Sequence, residues 1–176
     1  MLIGLLSDTH INSPNETLPP QLKAAFRGVD LILHAGDIWI PSVLDELESI
    51  APVFAAWGDD DMEADLGGDS RMMKGQALHL DDVTIWLAHI KPRSALIKQS
   101  PKEEPSPSRP NGRPAEGLPD VVVFGHTHLP TIEDYKGVLL VNPGSATMPN
   151  YMPQLGTVAF LKTSPDGMQA RIVQLE

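Results

Sequence analysis

The chain has 176 residues, of which 41% are hydrophobic and 20% charged, and its formal net charge is −10 at pH 7. This composition is typical of one globular domain, which at this length buries about 70% of the surface of its unfolded chain. The acidic charge disfavours binding to nucleic-acid polymers, no apolar run approaches the ~20 residues of a membrane span, and the absence of cysteine excludes disulfides and thiolate chemistry.

The apolar run Leu2–Leu6 predicts a first strand, because it is short, continuous and followed by a polar turn. It lacks the basic segment and cleavage site of a secretory signal, which favours a cytoplasmic location. Asp8 and His10 follow the run and offer one oxygen and one nitrogen ligand. Taken alone, this pair is better explained by a turn whose aspartate caps backbone amides.

Two later apolar runs predict interior strands that end in a similar way. Leu31–Leu33 leads to Gly36-Asp37, and Pro52–Ala56 leads to Gly58-Asp59. We expect a central place for Asp37, since one carboxylate can bridge two metal ions. His34 precedes the turn and is expected to support the site rather than to bind a metal.

Asp59, Asp60 and Asp61 form a run of three carboxylates after the third strand. Such a run is unfavourable unless a cation draws the charges together, and a solvated acidic loop is the alternative. The position after a third strand and a third glycine favours Asp59 as a ligand.

The second half of the chain places histidines at the ends of two more predicted strands. A hairpin of Gln76–Leu80 and Val83–Ala88 leads to His89, and the apolar run Val121–Phe124 leads to Gly125-His126-Thr127-His128. Neutral imidazole is the commonest metal ligand in proteins. The carboxyl ends of strands are also where ligands bind in open α/β sheets.

The order of elements predicts an α/β fold of two packed, mixed β-sheets with helices outside. Helices over 21–27 and 41–50 alternate with the first three strands, whereas hairpins over 131–141 and 157–175 dominate the second half. Residues 62–75 are expected to be a linker. Residues 98–120 contain six prolines and few apolar residues, which predicts a flexible insertion within a single domain of residues 1–176.

The strand ends together present three carboxylates and four imidazoles: Asp8, His10, Asp37, Asp59, His89, His126 and His128. This set does not fit a Ser-His-Asp triad, which needs an oriented nucleophile. It fits a pair of divalent ions with mixed oxygen and nitrogen ligands. One such motif arises easily by chance, but five in this order, each after a predicted strand, are a specific signal.

The order resembles the signature of the calcineurin-like metallophosphoesterase superfamily, which reads D-x-H, G-D, G-N-x-D/H, H and G-H-x-H. The short length and the turn Asn142-Pro143-Gly144-Ser145 are most similar to the small bacterial and archaeal phosphodiesterases of this superfamily. The resemblance covers nearly the whole chain outside the proline-rich insertion. It implies a four-layer α/β/β/α sandwich and two divalent ions, with Mn²⁺ expected first and Fe, Zn²⁺ or Ni²⁺ as alternatives.

The resemblance also implies a role for each motif residue. One ion would take Asp8, His10, Asp37 and His128, and the other would take Asp37, Asp59, His89 and His126, with Asp37 as the bridge. The implied reaction is hydrolysis of a phosphodiester, or of a phosphomonoester, by a hydroxide that the two ions activate. The expected catalytic set is Asp8, His10, Asp37, Asp59, Asp60 and His126.

Three residues depart from the family's pattern. One of them is Ile90, which follows His89 where glycine is usual and would narrow access to the second ion. Asp59 stands where asparagine is usual, and its added charge would weaken the second ion as an electrophile. Asp60 stands where many members place a histidine that protonates the leaving group. An ionised carboxylate there predicts slow reaction of substrates with poor leaving groups.

The Gly-Asp-x-Asp motif that begins at Gly58 and the Asn-Pro-Gly-Ser-Ala-Thr motif that begins at Asn142 also occur in Vps29. Vps29 is a retromer subunit of the same fold that acts chiefly as a protein-binding scaffold. A catalytically weak, Vps29-like scaffold is therefore the alternative function. The four histidines of the motifs and the lack of an apolar surface stripe in the sequence favour the enzyme.

The expected partner is a small phosphoester, with no membrane partner and with nucleic-acid polymers disfavoured. Two bound divalent ions would add four positive charges and reverse the local field, so an acidic protein can still attract a phosphate ester. The apolar hairpins of the second half leave a homodimer open.

Overall fold

The computed structural model describes residues 1–73, 76–80, 82–93, 117–165 and 167–176. Its strands are β1 (Leu2–Leu6), β2 (Leu31–His34), β3 (Val53–Ala56), β4 (Met72–Met73), β5 (Gln76–Leu80), β6 (Val83–Leu87), β7 (Val121–Val123), β8 (Thr131–Tyr135), β9 (Val138–Asn142), β10 (Thr157–Ser164) and β11 (Gly167–Gln174). Its helices are α1 (Pro20–Ala25), α2 (Pro41–Glu48), α3 (Glu63–Leu66) and a 3₁₀ helix over Pro149–Tyr151.

The first sheet has the order β11-β10-β1-β2-β3-β4. Strands β1 to β4 are parallel, with Ile3 paired to Leu31 and Ile32 paired to Val53, whereas β10 runs antiparallel to β1. Neighbouring parallel strands end at the same edge of a sheet. The residues after β1, β2 and β3 are therefore brought together there.

The second sheet has the order β5-β6-β7-β9-β8 and is also mixed. Strands β6, β7 and β9 are parallel, whereas β5 and β8 pair antiparallel at the two edges. The segments after β6 and β7 thus lie side by side, and Gly125 N–H donates to the carbonyl of His89 at 2.9 Å. This pairing joins the two histidine-bearing turns of this sheet.

The two sheets pack face to face, which explains why the interior strands are apolar along their whole length. Ile3 and Leu5 of β1 lie between the sheets with Ile85 of β6 and Val121 of β7. Leu6 faces the other side of the first sheet, where it packs in a cluster to which α1, α2 and α3 contribute Leu22, Val43, Leu44, Leu47 and Leu66. A third, smaller cluster lies on the second sheet around Val122, Phe124 and Leu140.

The predicted α/β class with two packed, mixed sheets is confirmed. Both predicted helices are present but shorter: α1 ends at Ala25 and α2 ends at Glu48. Each begins with a proline in its first turn, where the missing N–H costs no helical hydrogen bond. None of the helices in the described ranges is long and apolar enough to cross a membrane.

The expectation of a plain linker over 62–75 is wrong for part of that segment. It contains α3 and β4, and β4 adds a parallel strand to the edge of the first sheet. Leu66 and Met72 are buried in the core, so these two side chains anchor a segment that reads as polar in sequence. Of the predicted insertion over 98–120, residues 98–116 lie outside the described residues.

Candidate metal centre

Sharp turns after the strands bring the predicted ligands together. Backbone hydrogen bonds join the turns after β1 and β2: Asp8 N–H donates to the Gly36 carbonyl at 2.9 Å, and His10 N–H donates to the Asp37 carbonyl at 3.1 Å. Five of the seven predicted ligands have a positive φ, namely Asp8, His10, Asp37, His126 and His128. Non-glycine residues rarely adopt this region, and such conformations cluster at functional sites.

Asp8, His10 and His128 form a first cluster. His10 Nε2 lies 3.1 Å from His128 Nε2, and His128 Nε2 lies 3.7 Å from Asp8 Oδ1. Asp8 and His128 are almost fully buried. Backbone N–H of His126 donates to both carboxylate oxygens of Asp8, at 3.0 and 3.2 Å, which holds the carboxylate in place.

Asp59, His89 and His126 form a second cluster. Asp59 Oδ1 lies 2.7 Å from His89 Nε2 and 3.1 Å from His126 Nδ1, and the two imidazole nitrogens are 3.3 Å apart. His89 is buried, whereas the side chains of Asp59 and His126 are about half exposed. This cluster is therefore the more open of the two.

Asp37 lies between the two clusters. Its Oδ2 atom is 3.5 Å from His10 Nε2 in the first cluster and 3.3 Å from His89 Nε2 in the second. Its other oxygen, Oδ1, accepts a hydrogen bond from Asp60 N–H at 3.1 Å. The carboxylate is thus oriented with one oxygen toward both clusters.

The donor atoms fit divalent cations. Four three-residue groups have donor atoms that all lie within 4.8 Å of one another: Asp8, His10 and His128; Asp59, His89 and His126; Asp8, Asp37 and His89; and His10, Asp37 and Asp60. Two pairs of imidazole nitrogens face each other, and facing lone pairs are favourable only when a proton or a cation lies between them. Mixed carboxylate and imidazole donors suit Mn²⁺, Fe, Zn²⁺ and similar ions.

Outer hydrogen bonds set which nitrogen of two histidines faces the site. Nδ1–H of His89 donates to the Ala35 carbonyl at 2.8 Å, and Nδ1–H of His128 donates to the Met148 carbonyl at 2.6 Å. Each bond commits Nδ1 as a donor to the backbone and directs Nε2 at the clusters. Such backbone partners are typical of metal-binding histidines.

The pKa values show how strongly these groups interact in the metal-free protein. Burial raises the pKa of Asp8 and lowers that of His10. Burial opposes ionisation of Asp37 and His89 as well, but their mutual hydrogen bond and attraction outweigh it. The pKa of Asp37 is therefore lowered, and that of His89 is raised to about 9. A proton on His89 therefore offsets the negative charge of Asp37, as a bound cation would.

The comparisons with known proteins agree with this geometry. The family profile of the calcineurin-like phosphoesterase superfamily domain matches residues 1–166. The chain belongs to this superfamily. A probable metallophosphoesterase of Methanothermobacter thermautotrophicus is 32% identical over 174 residues, which cover 99% of this chain and 92% of the relative. A phosphodiesterase of Methanocaldococcus jannaschii is 27% identical over 175 residues, which cover 93% of each chain.

Solved structures of this superfamily share the fold. A structure of an archaeal phosphodiesterase matches with a TM-score of 0.68 and 26% identity, covering 98% of this chain and 100% of the other. Wild-type Vps29 of Entamoeba histolytica, complexed with Zn²⁺, matches with a TM-score of 0.66 and 18% identity over 100% of both chains. The latter likeness concerns the fold alone. The superfamily and the clustered donors together support a metal-dependent phosphoesterase, a hydrolase.

All seven residues expected as ligands from the calcineurin-like signature lie at this site, and so does Asp60. Asp60 is exposed and contributes its carboxylate to a group with His10 and Asp37. His34 is buried and acts as a support, as expected. Its Nδ1 accepts from Gly36 N–H at 3.2 Å and its Nε2 contacts Thr9 Oγ1 at 3.1 Å. Burial lowers the pKa of His34 to about 3, so it stays neutral.

Asp61 is a supporting residue of the calcineurin-like site that the sequence analysis missed. Its Oδ1 accepts from the N–H groups of Ile38 and Trp39 at 2.7 and 2.8 Å, and its Oδ2 accepts from those of Asp37 and Gly58 at 3.0 and 2.8 Å. One carboxylate therefore ties the turn after β2 to the turn after β3. The sequence signal that could have identified Asp61 is its D-x-D spacing with Asp59.

Hydrogen bonds from the last residue of β9 and from the turn after it hold the turns that carry the first cluster. Asn142 Nδ2 donates to the Gly125 carbonyl at 2.9 Å and to Thr127 Oγ1 at 3.0 Å. Ser145 Oγ donates to the Asp8 carbonyl at 2.7 Å and accepts from Met148 N–H at 2.7 Å. In the sequence analysis, the Asn142-Pro143-Gly144-Ser145 turn appears only as part of the family resemblance, and its hydrogen bonds to two ligand turns are not predicted there.

A row of rings holds the histidines of the first cluster. Tyr151 stacks on His128 with centroids 4.2 Å apart, His128 stacks on His10 at 5.0 Å, and Trp39 meets His10 edge-on at 5.0 Å. Tyr151 has a φ of 58°, and its side chain is anchored by a 3.4 Å hydrogen bond from its hydroxyl to the His126 carbonyl. No feature of the sequence pointed to this row, because its members are distant along the chain.

Two glycines allow the turns to approach closely. A Cβ atom at Gly58 would overlap Asp37 Oδ1, and a Cβ atom at Gly125 would overlap Ser7 Oγ. Glycine is therefore required where these calcineurin-like motifs pass the neighbouring strand end.

Proposed function

We propose that this protein is a phosphodiesterase that works with two divalent ions, one in each cluster, sharing Asp37. The observation that carries the proposal is the position of Asp37 Oδ2, 3.5 Å from a histidine of the first cluster and 3.3 Å from a histidine of the second. A carboxylate oxygen in that position is suited to bridge two ions a few ångström apart. Asp8, His10 and His128 would complete one site, and Asp59, His89 and His126 the other.

When bound, such a pair of ions acidifies water and stabilises charge on a phosphoryl group. The protein's own contribution is orientation. The backbone N–H of His126 fixes the carboxylate of Asp8, and Asp61 fixes the turn that carries Asp37. The carbonyls of Ala35 and Met148 fix His89 and His128. The ligands are thus pre-organised by hydrogen bonds that do not depend on substrate.

Asp60 is exposed and directly follows the expected ligand Asp59. One of its carboxylate oxygens lies within 4.8 Å of donor atoms of His10 and Asp37. An ionised carboxylate accepts rather than donates protons, so it gives little help to a poor leaving group. We therefore infer a preference for diesters whose leaving group is stable without a proton. Phosphomonoesters, which bring an additional negative charge toward the half-exposed Asp59, are the poorer substrates.

A protein-binding scaffold is the second candidate, and one observation favours it. Large apolar side chains stand exposed next to ligand-bearing turns: Met62, Ile90, Leu129, Tyr151 and Met152. Exposed apolar groups in one region mark binding surfaces for proteins as well as for substrates. The complete set of seven donor side chains favours the enzyme, since a scaffold does not need them.

Hydrolysis of bis(p-nitrophenyl) phosphate tests the proposal. Chelator-stripped protein is assayed with and without Mn²⁺, and p-nitrophenyl phosphate is the monoester control. We expect Mn²⁺-dependent turnover of the diester that exceeds turnover of the monoester. Binding of Mn²⁺ without turnover of either compound would reject the enzyme and favour the scaffold.

A further inference from the structure

A cleft of about 710 Å³ lies against the second cluster. Its walls come from the end of β3, from β4 and from the hairpin β5–β6, and they are lined by Ala56, Trp57, Met73, Ala77, Trp86 and Pro92. We call it the indole cleft. Clefts of roughly 300–1,000 Å³ with mostly apolar walls are the usual binding sites for small organic molecules.

The indole cleft adjoins the candidate metal centre. His89 lines it, and the same side chain has its Nε2 2.7 Å from Asp59 and 3.3 Å from Asp37. Trp57 stands two residues before Asp59 on the same turn. A molecule with a phosphoryl group at the metal centre therefore has this cleft as the adjoining space for its organic part.

The walls of the indole cleft select against a second charged group on the ligand. Among the described residues that line it, the ionisable side chains are Glu63 and His89, and the other lining side chains are apolar. A further phosphate in the cleft would give up its hydration against mostly apolar walls. An uncharged group fits this environment.

The walls of the cleft also favour a flat ring. Two of the chain's three tryptophans, Trp57 and Trp86, line it together with small side chains such as Ala56 and Ala77. Aromatic side chains contact another ring through stacked or edge-on arrangements that strengthen binding beyond the burial of apolar area. Small neighbours leave room for a planar ligand beside the indoles.

We propose that the indole cleft binds an uncharged aromatic ring of the phosphoester whose phosphoryl group lies at the metal centre. This inference rests on the proposed phosphodiesterase function and adds the substrate class: aryl or similarly flat, uncharged organic esters of phosphate. It assigns Trp57 and Trp86 as specificity residues, which contact the ring and not the phosphoryl group.

Isothermal titration calorimetry on the Mn²⁺-loaded protein tests the proposal with three phosphonates. Phenylphosphonate carries the flat ring, cyclohexylphosphonate a ring of similar size that is not flat, and methylphosphonate no ring. We expect phenylphosphonate to bind about tenfold more tightly than methylphosphonate, with cyclohexylphosphonate between them. Binding of phenylphosphonate should also change the intrinsic tryptophan fluorescence, because two of the three indoles line the cleft.

Variants of Trp57 and Trp86 test whether these two residues cause the preference for phenylphosphonate. Trp86→Leu and Trp57→Leu should each reduce the preference for phenylphosphonate over methylphosphonate to about threefold or less, whereas Trp86→Phe and Trp57→Phe should retain most of it. The preference is a ratio within one protein, so a general change in the metal centre cancels. Two separate positions keep the test decisive where one leucine variant fails to fold.

Equal binding of phenylphosphonate and methylphosphonate to the wild-type protein would overturn the inference, as would a preference that survives both leucine variants. If turnover of bis(p-nitrophenyl) phosphate persists in that case, the phosphodiesterase proposal stands and only the ring site is rejected. If none of the three phosphonates binds and no Mn²⁺-dependent turnover is seen, both proposals are rejected.

Discussion

At the scale of single residues, the site depends on two aspartates with different tasks. Asp37 points one oxygen at both clusters of donors, whereas Asp61 accepts four backbone N–H groups and contacts neither cluster in the described hydrogen-bond network. The first task concerns metal binding and the second concerns the shape of two turns. Substitutions at the two positions should therefore have separable effects.

Asp37→Asn tests the bridge. The amide keeps the shape of the side chain but removes the charge that two cations would share, so we expect loss of Mn²⁺-dependent turnover and a drop of about 10–100-fold in affinity for one of two Mn²⁺ ions. The thermal midpoint of the metal-free protein should change by only a few degrees. Asp82→Asn, at an exposed turn, is the control. Unchanged turnover in Asp37→Asn would reject the bridging role.

Asp61→Ala tests whether the carboxylate of Asp61 stabilises the turns after β2 and β3. Four N–H groups lose their acceptor, so we expect the free energy of unfolding of the metal-free protein to fall by about 2–4 kcal/mol. Urea unfolding followed by circular dichroism measures it. Asp60→Ala is the matched control one residue earlier, because its exposed side chain should alter stability by less than about 0.5 kcal/mol. Equal stability of the two variants would show that the four hydrogen bonds are not formed in solution.

At the scale of elements, the short 3₁₀ helix over Pro149–Tyr151 acts on the first cluster through stacking and through the Met148 carbonyl. Tyr151→Ala removes the ring that lies 4.2 Å from His128, and we expect weaker Mn²⁺ binding by about 3–10-fold, since partners of this kind orient metal-binding histidines. Tyr151→Phe keeps the ring and should bind nearly as the wild type does. If the alanine and phenylalanine variants bind Mn²⁺ equally, stacking does not position His128.

A second element-scale contact fastens the end of α2 to the turn before β4. Arg71 contacts Asp69 at 2.6 Å, Asp45 at 2.7 Å and Glu48 at 2.9 Å, and its side chain is only 14% exposed. The hydrogen bond from Arg71 lowers the pKa of Asp69 below its ordinary value. A carboxylate whose pKa is lowered in the folded state stabilises the fold above that ordinary value, and this stabilisation is lost as the pH falls.

Asp69→Asn should therefore be less stable than the wild type at pH 7, by about 1–3 kcal/mol. The difference should shrink as the pH falls below about 4, because the carboxyl of the unfolded wild-type chain then takes up a proton, whereas the folded carboxyl, with its lowered pKa, does so only at a lower pH. Urea unfolding of the metal-free proteins at a series of pH values measures it. A difference that stays constant down to pH 3 would mean that the charge of Asp69 is not responsible.

At the scale of the whole molecule, the sequence predicted what depends on local pattern. Continuous apolar runs such as Leu2–Leu6 mark interior strands, and each of the motifs that follow lies at the expected strand end. Parallel pairing then makes the convergence of Asp8, Asp37 and Asp59 a consequence of topology. The two-sheet class and the superfamily follow from the same signals.

What the sequence could not give depends on contacts between distant residues. The segment 62–75 reads as a linker because β4 has only two residues, and its place is decided by pairing with β3. The stacking of Tyr151 on His128 and the four hydrogen bonds to Asp61 join turns that only the tertiary fold brings together. The indole cleft likewise needs both sheets before it exists.

The most direct test of the two-ion account is a titration of turnover against metal. Chelator-stripped protein receives Mn²⁺ in increasing equivalents, and the initial rate of bis(p-nitrophenyl) phosphate hydrolysis is followed together with bound metal. We predict that turnover rises mainly with the second bound equivalent, since both clusters share Asp37 and both ions contribute to the reaction. Full turnover with one bound ion, or no turnover with two, would contradict the account.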